Sequence, residues 1–303
     1  MILGSVLQKP PSHISAILTA LVVTFLWSTS FILIKWGLSE IPPLTYAGLR
    51  YTIAFLCLLP FIVKKERIAE IKNLGRKDWF RLIALGFLFY TFTQGTQFIG
   101  LSLLPAVTVS LLLNFTPIVV AVMGIFLLSE KPTVLQWIGT IFFVIGIITY
   151  FYPVNLSGSQ TIGISVMIIG VLANSGSAIL GRSINRENKI SALTVTFVSM
   201  GVGSFIMLFV GIIFQGLPPI SLTTFLYLLW LAIINTALAF TLWNLSLQNL
   251  TAMESSIING TMLIQIAFLA WIFLGESISM KEGAGMLIAS VGALFVQIRK
   301  KDK

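Results

Sequence analysis

Phe126-Leu-Leu-Ser-Glu130-Lys-Pro-Thr-Val-Leu-Gln-Trp-Ile-Gly139 returns, altered but recognisable, as Ile272-Phe-Leu-Gly-Glu276-Ser-Ile-Ser-Met-Lys-Glu-Gly-Ala-Gly285. In each copy an apolar run stops at a carboxylate, a short polar turn follows, and a second apolar run carries a later glycine. Glu130 and Glu276, Gly139 and Gly285, and Gly146 and Gly292 are each 146 residues apart (276 − 130, 285 − 139, 292 − 146). The same offset carries Leu101, Leu104 and Ala106 onto Leu247, Leu250 and Ala252. One register fits two helix pairs, so the chain reads as a duplication.

Composition fixes the solvent of those runs. Of the 303 residues, 57% are hydrophobic and 10% charged, and the mean hydropathy is +0.99, which places nearly all of the chain in lipid. Cys57 and His13 are the sole residues of their kinds, so a disulfide framework, a cysteine zinc site or histidine acid–base chemistry inside the membrane is not expected. No cofactor or metal is expected. The chain carries no Gly-x4-Gly-Lys-Ser/Thr loop, which argues against ATP-driven pumping by this chain alone. The net charge of +9 sits in short loops, where membrane orientation explains it better than nucleic acid does.

Apolar runs at about 14–34, 44–63, 79–101, 105–127, 133–152, 161–181, 190–214, 222–245, 251–273 and 280–298 give about ten spans. The first is too long for a secretory h-region and lacks an Ala-x-Ala cleavage site. With the N-terminus in the cytoplasm, nearly every basic residue falls inside, from Lys64, Lys65, Arg67, Lys72, Arg76, Lys77 and Arg81 to Arg182, Arg186 and Lys189 and the cluster at 299–303. Lys35 and Lys281 fall outside, and Arg50 lies within a span. Both termini are therefore expected in the cytoplasm of a multi-pass cell-membrane protein. The stretch 64–78 reads either as a short helix on the inner headgroups or as a solvated basic loop.

Five spans per half is an odd number, so the second half must enter the membrane from the opposite side. Inverted halves of this kind mark many secondary transporters, whose site lies near the midplane between the repeats. The expected fold is an all-α polytopic membrane protein of about ten transmembrane helices, with one five-helix repeat in 1–152 and its inverted partner in 153–303.

The residues that carry a family resemblance are spread along the whole chain. They are Leu26-Trp27-Ser28-Thr29-Ser30-Phe31 with Lys35, Pro43-Leu44 leading to Leu49-Arg50, Leu101-Ser-Leu-Leu-Pro-Ala106, Pro117 and the two Leu-x-Glu turns. In order and spacing they resemble the EamA-type permeases of the drug/metabolite transporter superfamily. The resemblance implies transport of small metabolites, amino acids and related compounds among them, through a cavity lined by the first, third, fourth, sixth, eighth and ninth spans. The family often has glycine after the tryptophan of the first span, where this chain has Ser28.

Polar groups at midplane depth are the candidates for a substrate site. Pro117 removes a backbone donor near Leu113 and leaves non-ideal backbone beside Asn114, tolerable where it faces protein or a cavity. Asn114 is thus the first candidate, and Asn259, one position from its repeat partner Gly260, is the second. Gln94 and Asn174 are further amides at this depth, while Trp27, Tyr90 and Trp243 offer apolar faces to a substrate or to packing. Arg50 either meets a substrate carboxylate or pins carbonyls of a neighbouring helix. Glu130 and Glu276 are read as carboxylates before the first turn of the next helix, favoured by its dipole, or as gating contacts. An amino acid or related zwitterion suits amides and aromatics with one cation. Export of drugs or other organic solutes is the alternative reading. An intramembrane enzyme or a non-transporting receptor or scaffold would need a constellation or a loop domain that the sequence does not display.

Overall fold

The computed structural model describes residues 13–128, 133–153, 157–187, 189–247, 250 and 252–297. The helices are α1 (His13–Gly37), α2 (Pro43–Ile62), α3 (Lys65–Lys72), α4 (Arg76–Leu85), α5 (Gln94–Leu103), α6 (Ala106–Leu113), α7 (Thr116–Leu128), α8 (Val134–Phe151), α9 (Gly158–Arg186), α10 (Ala192–Gln215), α11 (Leu222–Ala232), α12 (Ala239–Leu247), α13 (Ala252–Leu274) and α14 (Met280–Gln297). Two π-helical segments, π1 (Gly86–Thr93) and π2 (Ile233–Leu238), join α4 to α5 and α11 to α12. Seven helical stretches among the described residues are long and apolar enough to cross a membrane, and two more are shorter apolar helices. The molecule is an all-helical polytopic membrane protein.

Local chemistry explains where these rods begin and stop. Pro42 and Pro105 precede α2 and α6, where a missing N–H costs nothing. Thr133 and Gln136 form a reciprocal capping box at the start of α8, and Gln136 reaches on to donate to the carbonyl of Val296 at 3.1 Å. Gly275, at φ 65° with nothing within 4 Å of where a Cβ would stand, is demanded by its backbone conformation rather than by space.

α8 and α14 form the most closely packed pair. A Cβ on Gly139 would lie 2.7 Å from the Gly292 carbonyl oxygen, and one on Gly285 would lie 2.7 Å from that of Gly146. Gly139 thus meets Gly292 while Gly146 meets Gly285, so the two helices run antiparallel, each glycine facing the repeat counterpart of the other's. Small residues let lipid-embedded backbones approach this closely, where dispersion rather than water drives association. α2 and α10 pack in the same antiparallel sense, with Gly48 against Leu208 and Gly211 against Thr45.

Three expectations change at this level. The fourth span is not one helix kinked at Pro117. It is α6 and α7, separated at Asn114–Phe115, with Pro117 in the first turn of α7, where its lost donor is harmless. Glu276 does not serve the helix that follows it. Its carboxylate oxygens accept from the N–H groups of Ala106 (2.7 Å) and Val107 (3.2 Å), at the start of α6 in the other half of the chain. Glu130 lies outside the described residues. Of the two readings for 64–78, the helix is the one observed: α3 buries none of its residues.

Two more carboxylates reach across in the same way. Glu40 accepts from the Ser221 N–H (2.9 Å) and hydroxyl (2.8 Å) before α11, and Glu70 accepts from the Ser191 N–H (2.6 Å), the Ser191 hydroxyl (2.9 Å) and the Thr194 hydroxyl (2.8 Å) at α10. Burial alone raises the Glu70 carboxyl. The bonds from Ser191, Thr194 and Arg67 outweigh it and bring the group from 4.5 down to about 2.

Two outcomes are expected. Replacing Gly139 or Gly292 by leucine forces α8 and α14 apart and lowers stability by about 1–3 kcal/mol, read as a drop in thermal midpoint in detergent, whereas Gly158→Ala, which enters open space, leaves it unchanged. Because the folded Glu70 carboxyl sits near 2 against 4.5 when unfolded, its contribution is complete above pH 4.5 and lost as pH falls toward 2. The difference in thermal midpoint between wild type and Glu70→Gln should therefore be full at pH 6 and close as pH falls through that window.

Candidate functional site

A chain of buried polar contacts runs through the middle of the bundle, from α5 to α2, π2 and α1. Tyr51 donates its hydroxyl to Gln94 Oε1 at 2.6 Å. The neighbouring Arg50 donates from Nε to Thr236 Oγ1 at 3.1 Å. Thr236 belongs to π2, and its own hydroxyl proton goes to the Leu231 carbonyl five residues back (2.8 Å). Next to it, Asn235 gives its amide hydrogens to the Leu26 carbonyl (2.6 Å) and to the Ser30 (2.8 Å) and Thr29 (3.2 Å) hydroxyl oxygens. Trp27 returns the contact, donating its indole N–H to the Asn235 carbonyl at 3.2 Å.

The first-span stretch is therefore read almost entirely by one residue, Asn235, which is fully buried. Its Oδ1 is buried without a partner among the described residues. Ser28 turns the other way, donating to the Thr24 carbonyl (2.8 Å) and to Gln265 Oε1 on α13 (2.9 Å). Gln265 in turn donates to Thr261 and Thr24. A glycine in place of Ser28 would leave that amide oxygen without this donor, so the serine and Gln265 form a matched pair.

The π segments stand at corresponding places. Adding 146 to the bounds of π1 gives 232 and 239 (86 + 146, 93 + 146), a window that holds the whole of π2. In each, a threonine hydroxyl donates to the carbonyl five residues before it, Thr93 to Leu88 (2.9 Å) and Thr236 to Leu231. A widened turn leaves backbone carbonyls poorly served, and such bulges recur at functional sites. Neither Gly86–Thr93 nor Ile233–Leu238 announces this conformation in its sequence; the shared register was the signal available.

The remaining candidates take different places. Tyr90 is buried, its ring 5.5 Å from that of Tyr51 and 4.9 Å from that of Phe89. Trp243 is half-buried and packs on Trp27 with ring centroids 5.2 Å apart. Asn114 turns its amide back to the Ser110 carbonyl (2.9 Å), finishing α6. Asn174 donates to Thr116 Oγ1 (3.0 Å) and so holds the start of α7 against α9. These bonds place Asn114 and Asn174 at the break in the fourth span.

Asn259 is exposed, and the side on which it is exposed matters. Ile264, Phe268 and Trp271 of α13 are 55%, 58% and 60% exposed and form its outer stripe. Asn259 precedes Phe268 by nine residues, two and a half turns, which sets it on the opposite face. Leu263, Ile266 and Ala270 of that face are buried. No hydrogen bond joins Asn259 to Asn114 among the described residues.

A separate polar cleft of about 470 Å³ opens near the α6 start, lined in part by Thr108, Tyr150, Gln160, Glu276, Lys281 and Glu282. Thr108 and Tyr150 share a hydroxyl bond of 3.0 Å there. This cleft was not foreseen, because its residues come from four separate loops and helix ends.

The model of the EamA-like transporter family matches this chain twice, over residues 14–152 and 156–298. The chain belongs to the EamA-like transporter family. The uncharacterized transporter YvbV of Bacillus subtilis (strain 168) is 27% identical over 304 residues, covering 97% of this chain and 94% of its own. A protein of Salmonella typhimurium named "Probable amino-acid metabolite efflux pump" is 27% identical over 294 residues, covering 92% and 93%. A solved crystal structure superposes with a TM-score of 0.66 at 16% identity, over 93% of this chain and 97% of its own, and so shares the fold. For this family member the contact network predicts that Asn235→Leu, which strands acceptors on α1, lowers stability by about 1–3 kcal/mol, while Tyr51→Phe costs about 0.5–1.5 kcal/mol. Thermal unfolding in detergent checks both.

Proposed function

We propose that this family member is a secondary transporter that moves a small metabolite, an amino acid or a close relative, by alternating access between its two matched segments. The observation that carries the reading is the polar chain joining Gln94, Tyr51, Arg50, Thr236, Asn235 and Trp27 across helices of both segments. Amides, hydroxyls and aromatic rings around one cation suit a zwitterion with an apolar side chain. The name of the Salmonella relative supports the same substrate class. On this reading the two segments are inverted repeats, 1–152 and 153–303, in accord with the antiparallel run of α8 and α14. The protein sits in the cell membrane with both termini in the cytoplasm, and its partners are its solute and the bilayer.

The test is flux of amino acids in liposomes holding the full chain at matched protein levels. Asn114→Leu and Asn259→Leu should each raise the half-saturating concentration roughly twofold to tenfold, the effect of one lost hydrogen bond of about 0.5–1.5 kcal/mol. Wild-type kinetics in both variants would remove these asparagines from the site. Efflux of organic cations or neutral drugs without amino-acid flux would favour the drug-exporter alternative. Orientation is checked separately in a Cys57→Ser background: Leu217→Cys should label from outside intact cells, and Asn73→Cys only after the membrane is opened.

A further inference from the structure

Arg50 is the charged group of the central network, and among the described residues its bonding stays incomplete, as does that of Asn235 Oδ1. Arg50 lies seven residues past Pro43, about 10 Å along α2 at 1.5 Å per residue, and is 4% exposed. A guanidinium carries five N–H donors in a rigid fork and keeps its charge at any working pH. Among the described residues one donor is used: Nε–H binds Thr236 Oγ1. The Tyr51 ring, 5.2 Å from the guanidinium carbon, adds a cation–π contact. The ion pairs among the described residues join Arg67 to Glu70, Arg81 to Glu187 and Lys189 to Glu187, and none reaches Arg50.

The orientation of the fork is fixed from behind. Thr236 spends its own proton on the Leu231 carbonyl, which turns its lone pairs to Arg50. π2 is in turn held to α1 by the Asn235 and Trp27 bonds. With Nε anchored, the two terminal nitrogens form the edge turned away from Thr236, and that paired edge matches the two oxygens of a carboxylate. Charges inside a membrane protein are retained where they are paired or where they serve a solute path.

We propose that Arg50 is the carboxylate-reading residue of the transport site: the terminal nitrogens take the substrate's carboxylate end-on, and Thr236 is the positioning residue that presents them. This rests on the transporter reading above and narrows its substrate class to solutes bearing a carboxylate. Widening or tightening of π2 as the protein changes state would move Thr236 and thereby re-aim the fork, which links occupancy to conformation.

The experiment uses the full chain in liposomes and one panel of solutes: L-phenylalanine and L-leucine, their carboxamides, the amines left by removing the carboxyl group, and the matching carboxylic acids without an amino group. Both flux and thermal stabilisation in detergent are read. Wild type should prefer carboxylate-bearing solutes at least tenfold in half-saturating concentration over the carboxamides and amines. Arg50→Gln should erase that preference, Arg50→Lys should keep only part of it, and Thr236→Val should weaken it while the variant still folds. Transport of amino acids and their amides alike by wild type would overturn the proposal while leaving amino-acid transport standing. Transport of the simple acids without the amino acids would uphold Arg50 and overturn the zwitterion reading. If no panel member crosses or stabilises the protein, both fall. Because wild-type selectivity alone can sink the proposal, it stays testable even where Arg50→Gln does not insert.

Discussion

The first N–H groups of a helix have no acceptors along its own backbone and must find them elsewhere. Three helix starts in this protein find them in a carboxylate from the opposite half of the chain. Glu276 serves α6, Glu40 serves α11 and Glu70 serves α10. A charge-assisted bond of this sort joins a loop of one half to the rigid end of a helix in the other, so the halves are tied at their rims. Helix packing then has only to fill the space between, and the glycine faces of α8 and α14 do so at backbone contact.

The middle of the bundle obeys the same rule with weaker groups. Asn235, Thr236, Tyr51 and Gln94 bond one another or nearby carbonyls across four helical stretches. One of these stretches, π2, departs from α-helical geometry, and π1, which ends next to Gln94, does so in the corresponding place. A π turn in each third rod exposes carbonyls that threonine hydroxyls then serve, so the departures are held by specific bonds rather than by slack. Tied ends thus frame an irregular middle.

Much of this was legible in the residues. Hydropathy placed the long apolar helices within a few residues, though not the break between α6 and α7 or the charged α3, since a lipid-spanning helix needs a long apolar run. The offset of 146 marked as repeat counterparts the glycines that meet between α8 and α14, and it also aligns the two π segments. Less legible was the work of single polar side chains. Asn114 and Asn174 stood out by depth, but the bonds that place them at the break between α6 and α7 came only with the fold. Nothing in the residues around Asn235 marked it as the side chain that joins π2 to α1. Ser28 looked like a departure from family habit until Gln265 came to lie 2.9 Å from it.

The sequence by itself determined the solvent, the order of the apolar runs and the duplication, because each is a property of local composition and of spacing along one chain. Only the tertiary structure decided which donor meets which acceptor. Glu276 and Ala106 are 170 residues apart, and Arg50 and Thr236 are 186 apart. Polar groups in an apolar surrounding bond to whatever partner packing delivers, and that choice is fixed by the crossing of helices, not by their neighbours in sequence.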